Sequence, residues 1–574
     1  MQRTENAPSV VVVGGGIAGL SAALRLAERG YRVAVYESSE RCGGNLSSTM
    51  VSGREFDVYP HMFSPGYANF WGLVEHDLGL ARRRHFAART SVKFLYLDTH
   101  GYKALTNASS PKLAMQNLFS GVEPPPDMYL FGYGWIDLAS REFSNTLLDR
   151  FSVNGFLSTR PYATLASAEL NDRYIMQVWS AYSDQTSASA YRDYLRYNVL
   201  KRQETPMLWL LQGPLQSTLI APLVERLRSF GATVENNQRA LGISAADDGE
   251  VSVRLSGPSG ERLVTSDYAV LAVPPDALTV LAATAAAEGR PTLVSAVPEL
   301  TETARLRAEP IPVTYLRFKR NLADLPVENV GLEGTREDLT FLDLTPLWRA
   351  AGDQEDGTLL ALASSNFRAY PAGQPDGDTA FEMVLRLHEY LPQFETGAYW
   401  GDPQSDIDWQ RSFYTSNDDH KLFIDSVGSE AWRPEGHYAA LPRVLLAGDF
   451  VQTADDMSTV EGAIRSGVRA AAAVWQAEPL GSAVPLLEPE VPTQQELLMA
   501  KLAGMPAAYC AKWLAEAGSL REDPSAGHAL KFAAGMASVA FGMAADWMET
   551  SAALVDSGAA RRRAGRASRM HNYP

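Results

Sequence analysis

The feature that most constrains this chain of 574 residues is a strand-glycine-helix-strand unit near its start. An apolar run at residues 10–13 has the length of a buried strand, and it ends at three consecutive glycines, residues 14–16. Apolar residues at helical spacing follow until Gly30, which is predicted to cap the helix. A second strand over residues 31–36 ends at Glu37, so the order predicts a βαβ unit with a glycine-rich turn.

The positions of the glycines in this unit are those that dinucleotide binding requires. Gly14 permits the tight turn, Gly16 lets a pyrophosphate approach the backbone, and Gly19 lets the helix pack closely on the strand. The first N–H groups of the helix, including that of Ala18, favour phosphate charge. Glu37 lies where an acidic side chain accepts hydrogen bonds from two ribose hydroxyls. The alternative is an ordinary βαβ unit with a glycine turn.

A second glycine pair continues this unit. Arg41 is followed by Gly43 and Gly44, and then by Asn45. Chains with GxGxxG followed by ExxxRxGG resemble the large FAD superfamily of flavin amine oxidases, protoporphyrinogen oxidases and carotenoid desaturases. The resemblance implies non-covalently bound FAD, with the second glycine pair also along the pyrophosphate. The family usually has arginine or lysine after the pair, so Asn45 is a departure.

Three later segments carry the same resemblance. In the family, a strand that ends in Gly448-Asp449 places a carboxylate beside the ribityl chain and the pyrophosphate. The helix after Thr459 directs its N-terminus at the flavin pyrimidine, and Val460 replaces the usual methionine there, where only the backbone N–H is needed. The strand that passes the adenine matches this chain at Val234, which the resemblance implies as a backbone contact.

The resemblance narrows at residues 61–73, HMFSPGYANFWGL, and again at the arginine-proline pair of residues 433–434. Both segments are similar to the plant- and cyanobacterial-type phytoene and ζ-carotene desaturases. That similarity implies that His61 lies near the flavin ring, where it is the candidate catalytic residue. The alternative is a histidine that is satisfied at a turn after Pro60.

The predicted fold class is α/β, with a Rossmann-type FAD-binding domain of the amine-oxidase type, an inserted α+β substrate domain and a helical C-terminal extension. Aromatic residues accumulate in the first insertion, as an apolar lid over a flavin would need, although such residues also serve as ordinary core. The predicted boundaries are 1–95, 205–290 and 405–480 for the FAD-binding domain, 96–204 and 291–404 for the substrate domain, and 481–574 for the extension.

The predicted function is oxidoreduction that removes hydride from carbon of a hydrophobic, isoprenoid or carotenoid-like substrate. Such chemistry needs positioning and an apolar pocket more than acid-base groups. Many amine oxidases of this fold have a lysine at the head of one strand, where this chain has Pro312 and Val313, while Lys319 and Arg320 lie at its far end. An amine or amino-acid oxidase, a protoporphyrinogen oxidase-like enzyme and a redox-neutral flavin isomerase remain alternatives. Oxygen, a quinone and a protein are all compatible electron acceptors.

Composition limits the partners. The net charge of −16 argues against nucleic acid, and two cysteines, Cys42 and Cys510, allow neither a disulfide framework nor a cysteine metal site. No metal is expected. The start of the chain has no apolar signal core, which suggests the cytoplasm.

The extension after residue 480 is the part that the resemblance does not cover. Residues 494–518 and 528–558 are predicted as helices, and an arginine-rich end follows at residues 561–569. This pattern is compatible with peripheral contact with an anionic membrane, but it does not favour that contact over packing on protein. A helical hairpin on the protein, or a homodimer formed through these helices, is the alternative.

Overall fold

The structure is a computed structural model, and it describes residues 7–555 except 108–109, 201–205, 246–249, 367, 372, 454–457, 523–526, 528–532, 534 and 538. The chain divides into two compact units, Met1–Tyr102 with Pro206–Pro489, and Lys103–Thr205 with Glu490–Pro574. The domain boundaries predicted from the sequence group residues differently, and they stay a prediction.

The strands begin and end as follows: β1 Ser9–Val13, β2 Arg32–Tyr36, β3 Ser48–Val51, β4 Arg54–Asp57, β5 Met62–Phe63, β6 Phe86–Arg89, β7 Ser91–Tyr96, β8 Gly101–Thr106, β9 Leu208–Leu211, β10 Thr233–Glu235, β11 Arg239–Ala245, β12 Val251–Gly257, β13 Gly260–Ser266, β14 Tyr268–Leu271, β15 Arg307–Glu309, β16 Val313–Arg317, β17 Val330–Leu332, β18 Leu339–Asp343, β19 Leu359–Ser364, β20 Phe413–Thr415, β21 Leu422–Ile424 and β22 Val444–Leu446.

The helices begin and end as follows: α1 Ile17–Ala27, α2 Ala68–Gly72, α3 Arg82–His85, α4 Pro111–Leu118, α5 Pro125–Ala139, α6 Asn145–Leu148, α7 Val153–Leu157, α8 Leu165–Trp179, α9 Ala188–Tyr194, α10 Ala221–Ser229, α11 Pro275–Ala283, α12 Leu293–Ala296, α13 Thr345–Ala350, α14 Asp376–Tyr390, α15 Val460–Ala477 and α16 Gln494–Glu522. Residues 539–555, called the terminal helix below, are also helical.

A five-stranded sheet in the order β10-β2-β1-β14-β22 forms the centre of the first unit. Its neighbouring strands are parallel, and Val11 is paired with Ala34 on one side and Ala269 on the other. Parallel sheets are covered on both faces, which explains why β1 is an unbroken apolar run. The predicted strand-turn-helix-strand order is therefore present. Helix α1 ends at Ala27, and Gly30, at φ +96°, caps its C-terminus as predicted, because the Gly30 N–H donates to the Ala27 oxygen at 3.0 Å and the Tyr31 N–H to the Leu26 oxygen at 3.3 Å.

Helices α1 and α15 pack together on one face of this sheet. A Cβ added to Gly467 would lie 2.1 Å from the backbone oxygen of Ala18, so α15 can approach α1 this closely only because it has glycine there. The buried residues of both helices share one hydrophobic cluster with β1, which includes Leu20 and Ile464. This packing fixes the start of α15 relative to the start of α1.

A second sheet in the first unit has the order β20-β16-β19-β18-β17-β7-β8. The side chains of β16 alternate between its two faces, as the two-residue period of a strand requires. Leu316 packs in a cluster with α14, whereas Val313 and Tyr315 pack in a cluster with Tyr59 and Ile311. The head of β16 therefore lies beside the segment that precedes His61.

Apart from the end of β8, the second unit contains only helices and loops in the part of it that the structure describes. Helix α16 begins at the predicted Gln494 and packs on α5. A buried group of charges joins them: Lys501 lies 2.8 Å from Asp137, which also binds Arg141 at 2.7 Å. The predicted helix over 528–558 is described only in part, and the predicted arginine-rich end lies outside the described residues. Among the described helices, none combines the length and apolarity that a membrane span requires.

Candidate functional site

The three glycines of the GxGxxG motif differ in the space around them: Gly14 and Gly19 are tightly packed, and Gly16 is open. A Cβ added to Gly14, where φ is +101°, would lie 2.2 Å from the backbone oxygen of Ala272, and one at Gly19 would lie 2.1 Å from that of Gly14. A Cβ added to Gly16 would meet no atom within 4 Å. The space beside Gly16 and the first turn of α1 thus fits a pyrophosphate, which would approach free N–H groups there.

Glu37 is held at the end of β2 by backbone donors. Its carboxylate is buried and accepts hydrogen bonds from the N–H groups of Gly15 and Ser39, each at 2.7 Å. Each carboxylate oxygen has a second lone pair for another donor. The carboxylate is therefore fixed at the edge of the glycine-rich turn, and its predicted contact with ribose hydroxyls stays a prediction.

The second glycine pair lies directly beside the first. The Gly43 N–H donates to the oxygen of Gly15 at 2.8 Å, and Gly43 forms a parallel bridge with Gly16. A Cβ added to Gly44 would lie 3.3 Å from the Cα of Gly16. The two motifs, about 27 residues apart in the sequence, form one glycine-lined surface, as a pyrophosphate between them would require.

The two polar residues around this pair have other partners. Arg41 forms an ion pair with Glu55 at 3.4 Å and stays partly exposed. The Asn45 side-chain amide donates to the backbone oxygen of Lys421 at 3.1 Å. The predicted contacts of Arg41 and Asn45 with a bound dinucleotide stay predictions.

Asp449 follows β22 at the same edge of the parallel sheet. Burial and the nearby charge of Asp425 together raise the pKa of its carboxyl to about 6, against the opposing effect of Arg433. Gly448, at φ +153°, turns the chain out of the strand, and its N–H donates to the Ser466 hydroxyl at 2.8 Å. The carboxyl group is thus placed beside the start of α15.

A buried ion pair that the sequence reasoning missed connects this strand end to α15. Arg433 binds Asp425 at 2.8 Å and donates to the backbone oxygen of Asp449 at 2.9 Å. The other Asp425 oxygen accepts from the N–H and hydroxyl of Ser458, at 3.0 and 2.6 Å. We call Asp425, Arg433 and Ser458 the strand-helix clamp. The arginine-proline pair at 433–434 was the sequence signal that could have indicated it.

The start of α15 is capped by Thr459, whose hydroxyl accepts from the Gly462 N–H at 3.1 Å. The N–H of Val460 is in the first turn, where helix N–H groups have no intrahelical partner. Glu461 is buried, and its carboxylate accepts from the N–H groups of Asn69 and Phe70, each at 3.0 Å. Burial raises its pKa, against the effect of these donors. Glu461, also missed from the sequence, therefore ties the segment after His61 to α15.

Val234 lies in β10, the edge strand of the parallel sheet, and is paired with Val35 of β2. Among the described strands, none pairs with the outer backbone edge of β10. An edge strand offers unpaired backbone groups, which suits the predicted contact with adenine. All predicted cofactor residues, and His61, belong to the first unit.

His61 is half-buried at the turn before β5. Its Nδ1 lies 2.9 Å from the backbone oxygen of Tyr59, so this nitrogen carries the proton and Nε2 is the acceptor. Its ring stacks on Phe63 with centroids 6.2 Å apart. Burial lowers the pKa of His61 to about 4, so the ring is neutral at pH 7. The backbone of the turn thus provides a hydrogen-bond partner for His61 Nδ1. The catalytic role of His61 stays a prediction.

The head of β16 offers no charged side chain of its own. Ile311 and Val313 are buried, and the Tyr59 hydroxyl lies 3.4 Å from the Ile311 N–H. At the far end, the Lys319 ammonium donates to the backbone oxygens of Ser405 and Pro403, at 2.5 and 3.0 Å. The lysine of this segment is thus engaged away from Tyr59 and His61.

A parallel sheet with two adjoining glycine motifs, an acid after the second strand and a second helix N-terminus beside it defines a dinucleotide-binding protein of the flavoprotein type. The comparisons give the family. The chain belongs to the flavin containing amine oxidoreductases, whose family pattern matches residues 17–475. It is accordingly an FAD-dependent oxidoreductase, as the sequence predicts.

Among the similar proteins are three from carotenoid metabolism by name. The 15-cis-phytoene desaturase of Synechococcus elongatus is 23% identical over 484 residues, which are 81% of this chain and 95% of that protein. The probable zeta-carotene desaturase of the same organism is 23% identical over 82% of this chain and 100% of its own length. The carotenoid phi-ring synthase of Streptomyces griseus is 27% identical over 82% and 89%. These relatives confirm the resemblance stated from the motifs.

Solved structures share the fold. A putrescine oxidase bound to putrescine has a TM-score of 0.59 at 16% identity, over 82% of this chain and 99% of its own. A putative protoporphyrinogen oxidase from Exiguobacterium has a TM-score of 0.55 at 17% identity, over 83% and 100%. The predicted α/β fold class with a Rossmann-type FAD-binding domain is confirmed.

Proposed function

We propose that the protein is a desaturase or dehydrogenase that removes hydride from carbon of a long, hydrophobic, isoprenoid or carotenoid-like substrate, with FAD bound non-covalently. The names of the curated relatives support the substrate class, because two of the three are desaturases of carotenoid precursors. The relatives align along most of this chain and of their own lengths. The proposal leaves open which compound accepts the electrons from the reduced flavin.

The observation that carries the proposal is the apolar, uncharged head of β16, which packs with Tyr59, two residues before His61. Buried Ile311 and Val313 flank Pro312, and Lys319 is bound to carbonyl groups at the other end. Because the pKa of His61 is lowered to about 4 by burial, this histidine adds no positive charge at pH 7. Removal of hydride from a hydrocarbon favours such surroundings, since it needs an apolar and water-poor site.

The residues of this chain would hold the cofactor at its two ends. Gly16, Gly43 and Gly44 would lie along the pyrophosphate, and the start of α15 at Val460 would face the flavin pyrimidine. When bound, FAD supplies a two-electron acceptor for hydride. The positive end of the α15 dipole favours negative charge at that position. Asp449 and Glu37 would receive ribityl and ribose hydroxyls.

An anaerobic titration tests the substrate class. The visible flavin absorbance of the purified holoprotein is recorded before and after addition of polyene precursors, amines and porphyrinogens. We expect bleaching by a polyene precursor and not by the other compounds. Addition of oxygen, a quinone or an oxidised electron-acceptor protein then identifies what reoxidises the flavin.

The other results would each overturn the proposal in a distinct way. Bleaching by an amine would establish an amine oxidase, and bleaching by a porphyrinogen would establish a protoporphyrinogen oxidase-like enzyme. A flavin that stays oxidised while a polyene is isomerised would establish redox-neutral chemistry. Denaturation with acid tests non-covalent binding, because we expect all flavin in the supernatant and none with the precipitated chain.

A further inference from the structure

The terminal helix exposes the apolar side of its surface instead of burying it. Phe541 is 79% exposed, Met548 66% and Val555 70%, at intervals of seven residues. On the opposite side, Asp546 and Thr550 are almost completely buried. A surface helix of a folded protein normally has the reverse arrangement, with its apolar stripe facing the core. The exposed face therefore needs an explanation other than packing within the second unit.

Specific contacts hold the helix in this orientation. Asp546 accepts a hydrogen bond from the Tyr509 hydroxyl at 3.0 Å. Glu549 binds Arg141 at 2.6 Å, and a Cβ added to Gly542 would lie 2.5 Å from the side chain of Pro161. A rotation that buried Phe541 would break both of these polar contacts, one made by Asp546 and the other by Glu549. The apolar face is thus directed outward by polar contacts on the other side.

The width of the exposed face distinguishes between a second protein helix and a lipid surface. At 100° per residue, the exposed apolar positions span about 200° of the helix circumference. These positions are Phe541, Met543, Ala544, Ala545, Trp547, Met548, Ala552 and Val555. A seam between two helices is narrower than this, whereas a helix that lies in a membrane interface presents a broad apolar face with aromatic residues.

The charge of the following segment favours an anionic surface. Residues 557–574 contain Arg561, Arg562, Arg563, Arg566 and Arg569 and no acidic residue, in a chain whose net charge is −16. A cluster of basic residues beside an amphipathic helix is typical of attachment to acidic lipids, where each arginine strengthens binding by about fivefold. We propose that the exposed apolar face of the terminal helix docks the protein on an anionic lipid bilayer, and the arginine-rich sequence that follows supports the choice of an anionic surface.

Vesicle flotation with the full-length holoprotein tests this inference. Vesicles of phosphatidylcholine alone are compared with vesicles that also contain phosphatidylglycerol. We expect binding to the anionic vesicles, with weakening by salt. The triple variant F541S/M548S/V555S should bind at least about tenfold less, because each serine replaces an exposed apolar side chain that the bilayer would otherwise bury. The control variant L165S/L263S/V280S replaces other exposed apolar residues and should bind as the unchanged chain does.

A second variant tests the inference even if F541S/M548S/V555S fails to fold. R561Q/R562Q/R563Q should lose the preference for anionic vesicles and keep the visible flavin spectrum. Failure of the unchanged chain to bind either vesicle would overturn the inference, as would equal binding by F541S/M548S/V555S. A dimer in sedimentation velocity that this variant converts to a monomer would instead assign the face to a second copy. The flavin titration does not enter these outcomes, so the proposed function fails or holds separately.

Discussion

Gly16 and Gly19 are three residues apart, yet a side chain would meet opposite conditions at the two positions. We expect Gly16→Val to fold with a free energy of unfolding within about 0.5 kcal/mol of the unchanged apoprotein, since a Cβ there meets no atom within 4 Å. FAD affinity should fall by about 10- to 100-fold, because the side chain fills the space predicted for the pyrophosphate. Fluorescence titration with FAD and urea unfolding measure the two effects.

Gly19→Ala is the matched variant at the packed position. Its Cβ would lie 2.1 Å from the backbone oxygen of Gly14, so we expect a loss of about 1–3 kcal/mol in the free energy of unfolding. Gly377→Val, at another open and exposed glycine, controls for the larger side chain. Full FAD occupancy in Gly16→Val would contradict the predicted pyrophosphate position.

Asp449 gives a residue-scale prediction about pH. Its folded pKa of about 6 lies above the unfolded value, so its contribution to stability is complete below about pH 4 and is lost as the pH rises through 6. We expect Asp449→Asn to stabilise the apoprotein at pH 8 by roughly 2 kcal/mol, and by much less at pH 4. Urea unfolding at both pH values measures this, with Asp356→Asn as a control at an exposed carboxylate. An equal effect at the two pH values would contradict the raised pKa.

At the scale of elements, the strand-helix clamp holds the end of β22 to the start of α15. Removal of one member of a buried ion pair leaves an uncompensated charge, so Arg433→Met and Asp425→Leu should each lower the free energy of unfolding by about 3–5 kcal/mol. The double variant should cost less than the sum of the two, because neither charge is then left buried alone. A double-mutant cycle in urea unfolding measures the coupling.

An exposed ion pair in the same unit provides the control for this cycle. The Arg228–Glu225 pair is at the surface, and Arg228→Met should change the stability by about 0–1 kcal/mol. Titration with FAD measures the cofactor affinity of the clamp variants. Lower stability alone would not change this affinity while the variants remain folded. If the clamp positions Val460 and Asp449, FAD affinity should fall for the variants even at temperatures at which they remain folded.

The sequence could predict elements that depend on neighbouring residues, but not contacts between residues far apart in the chain. The βαβ unit was predictable, because strand and helix periods and the glycine positions are local properties of residues 9–36. The contact between Glu461 and Asn69 was not, because 392 residues separate them and neither belongs to a periodic pattern. The cap at Gly30 was predictable for the same reason as the βαβ unit, because a glycine directly after a helical pattern is a local signal.

At the scale of the whole molecule, each of the two units is assembled from chain segments far apart in the sequence. In the second unit, Asp137 of α5 binds Lys501 of α16 at 2.8 Å. The sequence indicated helices in both segments, but it gave no reason to join them, since the buried charges are single residues in apolar stretches. The three-domain division from the sequence therefore depends on the resemblance, which ends near residue 480.

These buried acids predict opposite responses of the two units to acid. Burial alone would raise the pKa of Asp137, but Arg141 and Lys501 outweigh it and lower the pKa to about 2. The stabilisation by Asp137 is thus present above about pH 4 and lost as the pH falls toward 2. In the first unit, burial raises the pKa of Asp57 to about 7, so protonation of this carboxyl favours the folded state.

We therefore expect acid to open the second unit before the first. Hydrogen exchange of the apoprotein, read by mass spectrometry at pH 3 and corrected for intrinsic rates, should show faster exchange in α5 and α16 than in β1 and α1. In the second unit, the corrected exchange rates at pH 3 and pH 6 should become nearly equal in Asp137→Asn. The asparagine side chain cannot lose or gain a proton in this pH range. Asp378→Asn, at an exposed carboxylate, should leave the difference between these rates unchanged. Earlier opening of β1 and α1 would mean that carboxylates of the first unit, and not Asp137, determine the acid sensitivity of the molecule.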